Sequence, residues 1–545
     1  MFCFQCEQTA FGTGCQKVGT CGKSPEASVL HDLLLDVAAG ISRYAHRLRA
    51  LGAATDAADT YVIDALFTTV TNVNVDTDSI QALIRQGGSI LNATRAAYRT
   101  AAGAKAETVE DPAANTEASR EDLIAACEAL DIRARQARLG EDIVGLQELM
   151  VYGVKGIAAY ARHARVLGKN DPAVVSYIHE SLDFLSNPAP TVPELLGMNL
   201  RCGEAALKVM ALLDEANTGA YGTPVPTPVL MGTKAGKAIL VSGHDLKDIQ
   251  LLLEQTAGKG INIYTHGEML PAHGYPDLKK HPHLVGHYGG AWQDQLKEFA
   301  EFPGAILMTT NCLIPPKQSY KGRVFTTGVV QGTGLVHIKG DDFTPVIEAA
   351  LQAEGFTSDS AVKTHTVGFH HGAVLGAAEA VVGAVKQGAI KRFVLIGGCD
   401  ANTPGREYYT KLGEALPKDW AVLTLGCGKF RLLNTDFGTI GGLPRLLDMG
   451  QCNDAFSAIK VAGALAEVFG CGVNDLPLSL VLSWYEQKAV SVLLALLHLG
   501  VKNIRIGPSL PAFVTPAALK VLVEMFNVMP IGTVEGDIEA MAKAA

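Results

Sequence analysis

From Ser24 to about Asn217 the apolar residues recur every three or four positions, whereas after Lys237 they gather into short runs separated by helical stretches. This change of period limits the fold more than any other feature of the chain. Ile143, Leu146, Met150, Val154 and Ile157 show the first pattern, which predicts helices with one stripe turned to a core. The second pattern is carried by AILVSG, INIYTH, AILMTT and VFTTGVV, then by HTVGFH, RFVLIGG, AVLTLG, LSLVLSW and IRIGP. Short apolar strands alternating with helices are the mark of parallel α/β units. ANTGAYGTPVPTPVLMGTKAGK, rich in Gly, Pro and Thr, reads as a linker, and AEGFTSDSAVK reads as a second break. At 545 residues the chain exceeds one ordinary core. The expected fold is multidomain α and α/β: an α-helical bundle domain over 1–220, then α/β domains over 221–360 and 361–545.

Local signals fill in the first half. Ser24-Pro25-Glu26 is a helix start, with a capping hydroxyl, proline at the first helical position and an acid near the positive dipole end. AGAKAETVEDPAANTEASRE reads as an exposed connection, and no exact repeat is visible. His46 and His163 fall inside helical stretches and read as structural or surface residues. AVSVLLALLHLGV has the length of a buried helix, and no run reaches the roughly 18 to 20 apolar residues of a membrane span. The start of the chain has neither the basic residues nor the apolar core of a signal peptide, so the cytoplasm is the expected location. A formal charge of −9 argues against a nucleic-acid surface. Eleven cysteines, an odd number, in a reducing compartment point to metal or redox chemistry over a disulfide framework.

The chemistry concentrates at the ends of the apolar runs. His244 follows AILVSG, Glu268 follows INIYTHG and Cys312 follows AILMTTN. Cys399 follows RFVLIGG, Cys427 follows AVLTLG, and LSLVLSWY leads into Glu486. One such residue reads as a buried thiol or a capping acid, but six at the edge where α/β sheets bind ligands point to an interdomain metal site. Soft thiolates, hard carboxylates and an imidazole are too many and too mixed for structural zinc, while iron tolerates all three in multinuclear clusters. Cys452 and Cys471 lie in later loops, and spacing alone does not select between them; Cys127 and Cys202 read as core thiols. GTKAGKA precedes a strand and lacks phosphate-loop spacing, and the GTG at Gly332 to Gly334 is half a dinucleotide fingerprint. His281, His283 and His287 in HPHLVGH read as solvated loop residues.

A second set opens the chain. Cys3, Cys6, Cys15 and Cys21 follow the spacing C-x2-C-x8-C-x5-C, with Gly12, Gly14, Gly19 and Gly22 letting the loop wrap closely. Zinc and an iron–sulfur cubane both stay open on spacing alone, the stretched second pair suiting the cubane at least as well.

Together with GHD at His244, HGE at Glu268, TNC at Cys312, GGCD at Cys399, LGCGKFR at Cys427, MGQCND at Cys452 and SWYEQKA at Glu486, these cysteines resemble the hybrid cluster protein, or prismane, family. The resemblance covers the full chain and is to the anaerobe-type members; carbon monoxide dehydrogenases are the nearest relatives outside the family. It implies an α-helical domain followed by two Rossmann-like α/β domains with mainly parallel sheets. It also implies a [4Fe-4S] cluster on Cys3, Cys6, Cys15 and Cys21, and a hybrid [4Fe-2O-2S] cluster on His244, Glu268, Cys312, Cys399, Cys427, Cys452 and Glu486. In the family the cysteine matching Cys399 can carry a persulfide, and the lysine matching Lys488 lies close to the cluster. The implied activity is reduction of hydroxylamine to ammonia and water, or of nitric oxide to nitrous oxide. Lys488 is the preferred proton donor, and a small redox protein or reductase is the electron donor. The competing expectations are a nitric oxide or oxidant sensor that nitrosylates partners and, by fold analogy, carbon monoxide oxidation. A monomer is expected, with neither a nucleic acid nor a membrane as partner.

Overall fold

The computed structural model describes residues 1–361 and 363–543; Val362, in the second expected break, lies outside the described residues. Ser24 caps the helix Pro25–Ala50, its side chain accepting from the Ala27 N–H at 3.0 Å, with Pro25 in the first turn. Asp56–Thr68, Thr77–Ala102, Glu141–Val166, Pro172–Phe184 and Val192–Tyr221 complete the main helices of the first half, around one shared core. Of the expected stripe, Leu146, Met150, Val154 and Ile157 are buried and Ile143 is half-buried. Each such side chain contributes on the order of 1.5–3 kcal/mol through burial.

The linker begins later than expected. Helix Val192–Tyr221 runs through Asn217, because Ala216, Asn217 and Tyr221 are buried by tertiary packing that overrides weak helical propensity. Thr227–Leu230 then forms a strand, antiparallel to Thr364–Val367. HTVGFH therefore contributes to this small ribbon and not to a parallel sheet.

Two six-stranded sheets follow. The first comprises β1 (Lys237–Ser242), β2 (Ile261–Thr265), β3 (Leu284–His287), β4 (Ala305–Met308), β5 (Val324–Thr326) and β6 (Val336–His337). The second comprises β7 (Arg392–Gly398), β8 (Trp420–Thr424), β9 (Leu446–Asp448), β10 (Leu478–Ser483), β11 (Ile504–Gly507) and β12 (Met529–Pro530). Their orders are β3-β2-β1-β4-β5-β6 and β9-β8-β7-β10-β11-β12, parallel throughout. The same order thus occurs twice, and each sheet has a switch point where loops at the carboxyl ends part to make a crevice. The sequence pattern did not reveal β3, β6, β9 or β12, which span only two to four residues each. His287, expected in a solvated loop, is the buried last residue of β3.

The first ten residues of AVSVLLALLHLGV lie in the buried helix Gln487–His498, which packs on Glu141–Val166 and Val192–Tyr221. The approach is close: a Cβ on Gly203 would stand 2.0 Å from the Leu494 carbonyl oxygen. That contact joins the helical core to one face of the second sheet. The architecture is mixed α/β, with 20 α-helices and two parallel sheets among the described residues. No helix among the described residues is long and apolar enough to cross a membrane.

Candidate metal centre

Seven strands deliver a donor at their carboxyl ends. His244 follows β1, Glu268 lies in the turn of 3-10 helix Gly267–Gly274 after β2, and Cys312 follows β4. Cys399 follows β7, Cys427 opens the turn Cys427–Arg431 after β8, Cys452 opens Cys452–Asp454 after β9, and Glu486 caps Gln487–His498 after β10.

The loops from the two sheets meet. His244 Nε2 is 3.5 Å from Glu268 Oε2, and the ligand atoms of His244, Glu268 and Cys452 all lie within 4.8 Å of one another. The Cys452 N–H donates to Glu268 Oε2 at 2.8 Å, and the Tyr160 hydroxyl donates to Cys452 Sγ at 3.5 Å. Gln451 Nε2 donates to the carbonyls of His244 at 3.1 Å and Glu268 at 2.7 Å. Lys488 Nζ stands 3.0 Å from His244 Nε2, donates to Asn311 Oδ1 at 3.0 Å and lies 3.6 Å from Glu486 Oε1. The loops after β7 and β8 touch at glycine: Gly426 has φ +68°, and a Cβ there would stand 2.3 Å from the Gly398 carbonyl oxygen. Cys312 has φ +72°, a conformation that costs a residue with a side chain about 1–3 kcal/mol.

The electrostatics show what this set needs. Burial pushes the Cys312 and Cys427 thiols well above their ordinary range, with carboxylates and neighbouring thiols adding to it. The Cys399 thiol is raised for the same reason, and Cys452 is pushed up to about 12. Burial raises the Glu268 carboxyl too, against Lys429 and Lys488, and drives the His244 imidazole well below its usual range. Glu268 Oε1 is buried without a hydrogen-bond partner. Bound metal cations would favour the deprotonated thiols, the carboxylate and the neutral imidazole together, so the residues present fit a metal cluster.

The opening cysteines form a second set. Cys3 and Cys15 exchange backbone hydrogen bonds of 3.1 and 2.8 Å, and Cys6 is raised by burial and by Cys21, Cys3 and Cys15. All eleven cysteines are free thiols. Asn72 joins this loop to the first site: its Nδ2 donates to Leu313 O at 2.8 Å and reaches Cys21 O at 3.5 Å. The Tyr485 hydroxyl donates to Asn72 Oδ1 at 2.5 Å, and its ring lies 4.7 Å from that of Trp292. The Trp292 indole N–H donates to Asp400 O at 2.7 Å. Cys6, Trp292, Cys427 and Tyr485 share one buried cluster, with Cys312 and Cys399 packed against it.

Sequence reasoning missed Asn72, Trp292 and Tyr485, which carry no local signal of a role. His163, read as a structural or surface residue, is buried in helix Glu141–Val166 beside His244, with ring centroids 6.5 Å apart. Cys127 and Cys202 are core thiols, and Cys471 is half-buried after helix Ala455–Phe469. Cavities among the described residues reach the donors. An apolar one of about 600 Å³, walled by residues such as Val374, Leu395, Leu423 and Leu480, opens on Cys399 and Cys452. A polar one of about 10 Å³ opens on His244 and Lys488.

Paired parallel sheets whose strand ends converge on thiol, carboxylate and imidazole donors define an α/β metalloprotein. The model of the Prismane/CO dehydrogenase family matches residues 1–539, and the chain belongs to that family. It is 58% identical to the hydroxylamine reductase of Rhodospirillum rubrum and 55% identical to that of Zymomonas mobilis, with 100% of each chain covered in both comparisons. Among solved structures it is similar in fold to carbon monoxide dehydrogenase IV from Carboxydothermus hydrogenoformans. The TM-score is 0.57 at 16% identity, over 97% of this chain and 89% of that one.

Proposed function

We propose that the protein is an iron–sulfur oxidoreductase that reduces hydroxylamine to ammonia and water. Full-length relatives that bear that activity in their names support it. The observation that carries it is the meeting of His244, Glu268 and Cys452, with the second carboxylate oxygen of Glu268, Oε1, buried and unpartnered. In this reading the chain has three units, 1–220, 221–360 and 361–545, with the reaction centre at their junction. Cys3, Cys6, Cys15 and Cys21 hold a [4Fe-4S] cluster. His244, Glu268, Cys312, Cys399, Cys427, Cys452 and Glu486 hold the hybrid [4Fe-2O-2S] cluster. When bound, these groups supply single electrons and an open metal position for an N–O bond.

The chain's own residues do the rest. Reduction of hydroxylamine takes two electrons and two protons. Burial opposes a charge on Lys488, but Cys452, Glu486, Cys312 and Glu268 outweigh it and raise its pKa, so Lys488 stands protonated beside His244. It is the proton donor of this reading, held in aim by Asn311. Electrons enter at the opening cysteine loop from a small redox protein or reductase, and the enzyme acts as a cytoplasmic monomer. A second reading, reduction of nitric oxide to nitrous oxide, is favoured by the apolar cavity, since an apolar gas enters it without losing hydrogen bonds.

Anaerobic purification with iron, sulfide and nickel counts, EPR, and assays with hydroxylamine and nitric oxide test both. The expected result is two four-iron clusters per chain and hydroxylamine turnover. A single cluster overturns the assignment, and nickel with carbon monoxide oxidation replaces it. Lys488→Ala should slow turnover with both clusters intact; unchanged rates at several pH values would remove Lys488 from the mechanism.

A further inference from the structure

We propose that the tip of the opening cysteine loop, with Phe11 as its anchor and Lys17 and Lys317 at its edge, is the docking surface for a small acidic one-electron carrier protein. This rests on the reading of Cys3, Cys6, Cys15 and Cys21 as the point where electrons enter. Phe11 is completely exposed and holds φ +56°, a left-handed conformation that a residue with a side chain seldom adopts. Val18, in the next turn of the same loop, is 58% exposed. One exposed apolar residue needs no explanation, but two on one short loop of small and polar residues form an apolar contact. Each is next to a residue that touches a cysteine sulfur. The Ala10 N–H donates to Cys15 Sγ at 3.4 Å, and a Cβ on Gly19 would stand 3.0 Å from Cys21 Sγ. A carrier seated on Phe11 and Val18 is therefore brought against the residues that surround the thiols.

Charge identifies the carrier. The chain as a whole carries −9, yet the stretch from Gln8 to Pro25 holds Lys17 and Lys23 and no acid. The stretch from Leu313 to Gly340 holds Lys317, Lys321, Arg323 and Lys339 and again no acid. The two stretches adjoin: a Cβ on Gly22 would stand 2.8 Å from Pro315 Cγ, and Asn72 reaches both Cys21 O and Leu313 O. Lys23 is buried, and Arg323 donates to the carbonyls of Phe302 and Gly304. Lys17 and Lys317 are exposed and have no ion-pair partner among the described residues. The nearby acids are engaged: Asp76 accepts from the Ser79 N–H, and Asp78 pairs with Arg120. An apolar tip edged by free cations, on an otherwise acidic protein, attracts an acidic partner to this face and repels it from others. Transient electron-transfer complexes are small, under about 1,200 Å², and one aromatic anchor with a charged rim suits that size. In the step itself the carrier loses one electron and is oxidised, and the centre of the opening cysteines gains it; no bond breaks and no proton moves.

The test titrates the holoprotein with an acidic ferredoxin in a calorimeter. Its variants are Phe11→Asn, which tolerates the left-handed backbone, Phe11→Tyr, which keeps the ring, and Lys17→Glu. Phe11→Asn should raise Kd about tenfold, as loss of one apolar anchor predicts, and Phe11→Tyr should stay within about twofold of native. Lys17→Glu should weaken binding at low ionic strength and by less at high. Carbodiimide coupling, read by mass spectrometry, should join ferredoxin carboxylates to Lys17 or Lys317. Hydroxylamine reduction driven by reduced ferredoxin should fall in Phe11→Asn, while reduction driven by reduced methyl viologen, which needs no protein interface, should not change. The proposal is overturned by an equal Kd in Phe11→Asn and native, by a native protein that does not bind, by cross-links confined to other lysines, or by an equal loss of the viologen-driven rate. A native protein that binds ferredoxin and is reduced by it, yet leaves hydroxylamine intact, upholds the docking surface and overturns the proposed reaction.

Discussion

Lys429→Met breaks an ion pair that ties the Cys427 loop to the strand leading into the Cys452 loop. Lys429 and Asp448 are both completely buried, with Nζ 2.5 Å from Oδ1. Lys429 also donates to Gly450 O at 2.8 Å, two residues before Cys452. Burial alone would raise the Asp448 carboxyl, but Lys429 and His365 hold it below its ordinary range. Removing one partner of a buried pair costs about 3–5 kcal/mol. Here the low end applies, because Asp448 keeps His365 at 2.9 Å on Oδ2 and the Gly450 N–H at 3.1 Å on Oδ1. At roughly 1.4 kcal/mol per tenfold, 3 kcal/mol corresponds to an opening equilibrium about 100-fold more favourable. Hydrogen exchange read by mass spectrometry over peptides spanning 425–431 and 448–454 measures it, with iron content counted in parallel. Protection should fall by that factor and the site of Cys427 and Cys452 should lose iron. The double change Lys429→Met with Asp448→Asn removes the orphan charge and should recover most of the protection. Protection within about threefold of native, far less than a broken buried pair predicts, or a double variant no better than the single, refutes the reasoning.

Two further outcomes follow from packing and charge. His273 is buried against Thr265 at 3.0 Å and its imidazole is held down to about 4 against an ordinary 6.5. The unfolded chain therefore binds the extra proton between those values, so stability falls as pH drops through 6.5 towards 4, by up to about 3 kcal/mol. His273→Gln should flatten the acid limb of urea midpoints against pH, and parallel curves for the two proteins would exclude this account. Gly203→Ala forces a Cβ onto the Leu494 carbonyl and should destabilise by about 1–3 kcal/mol. Because the displaced helix begins at Gln487, beside Glu486 and Lys488, iron should be lost from the site of Glu486 before that of the opening cysteines; an unaltered melting curve and iron count would show that the helices have slack.

Local pattern carried much of the site. A parallel strand ends at a sheet edge wherever it pairs, so His244, Cys399 and Glu486 could be placed at that edge from their runs alone. The helix start at Ser24 was legible for the same reason, since a cap acts within one turn. Cys452 was not, because β9 spans three residues and shows no alternation.

The sequence by itself determined the helical half, most of the strands, and two groups of metal-capable side chains. These follow from chemistry within a few residues. Only the tertiary structure decided that the strand order occurs twice, that loops of the two sheets meet at Glu268 and Cys452, and that Asn72 links Cys21 to Leu313. Such contacts join residues far apart in the chain, and their free energy comes from burying both partners at once. No single stretch of sequence carries that term.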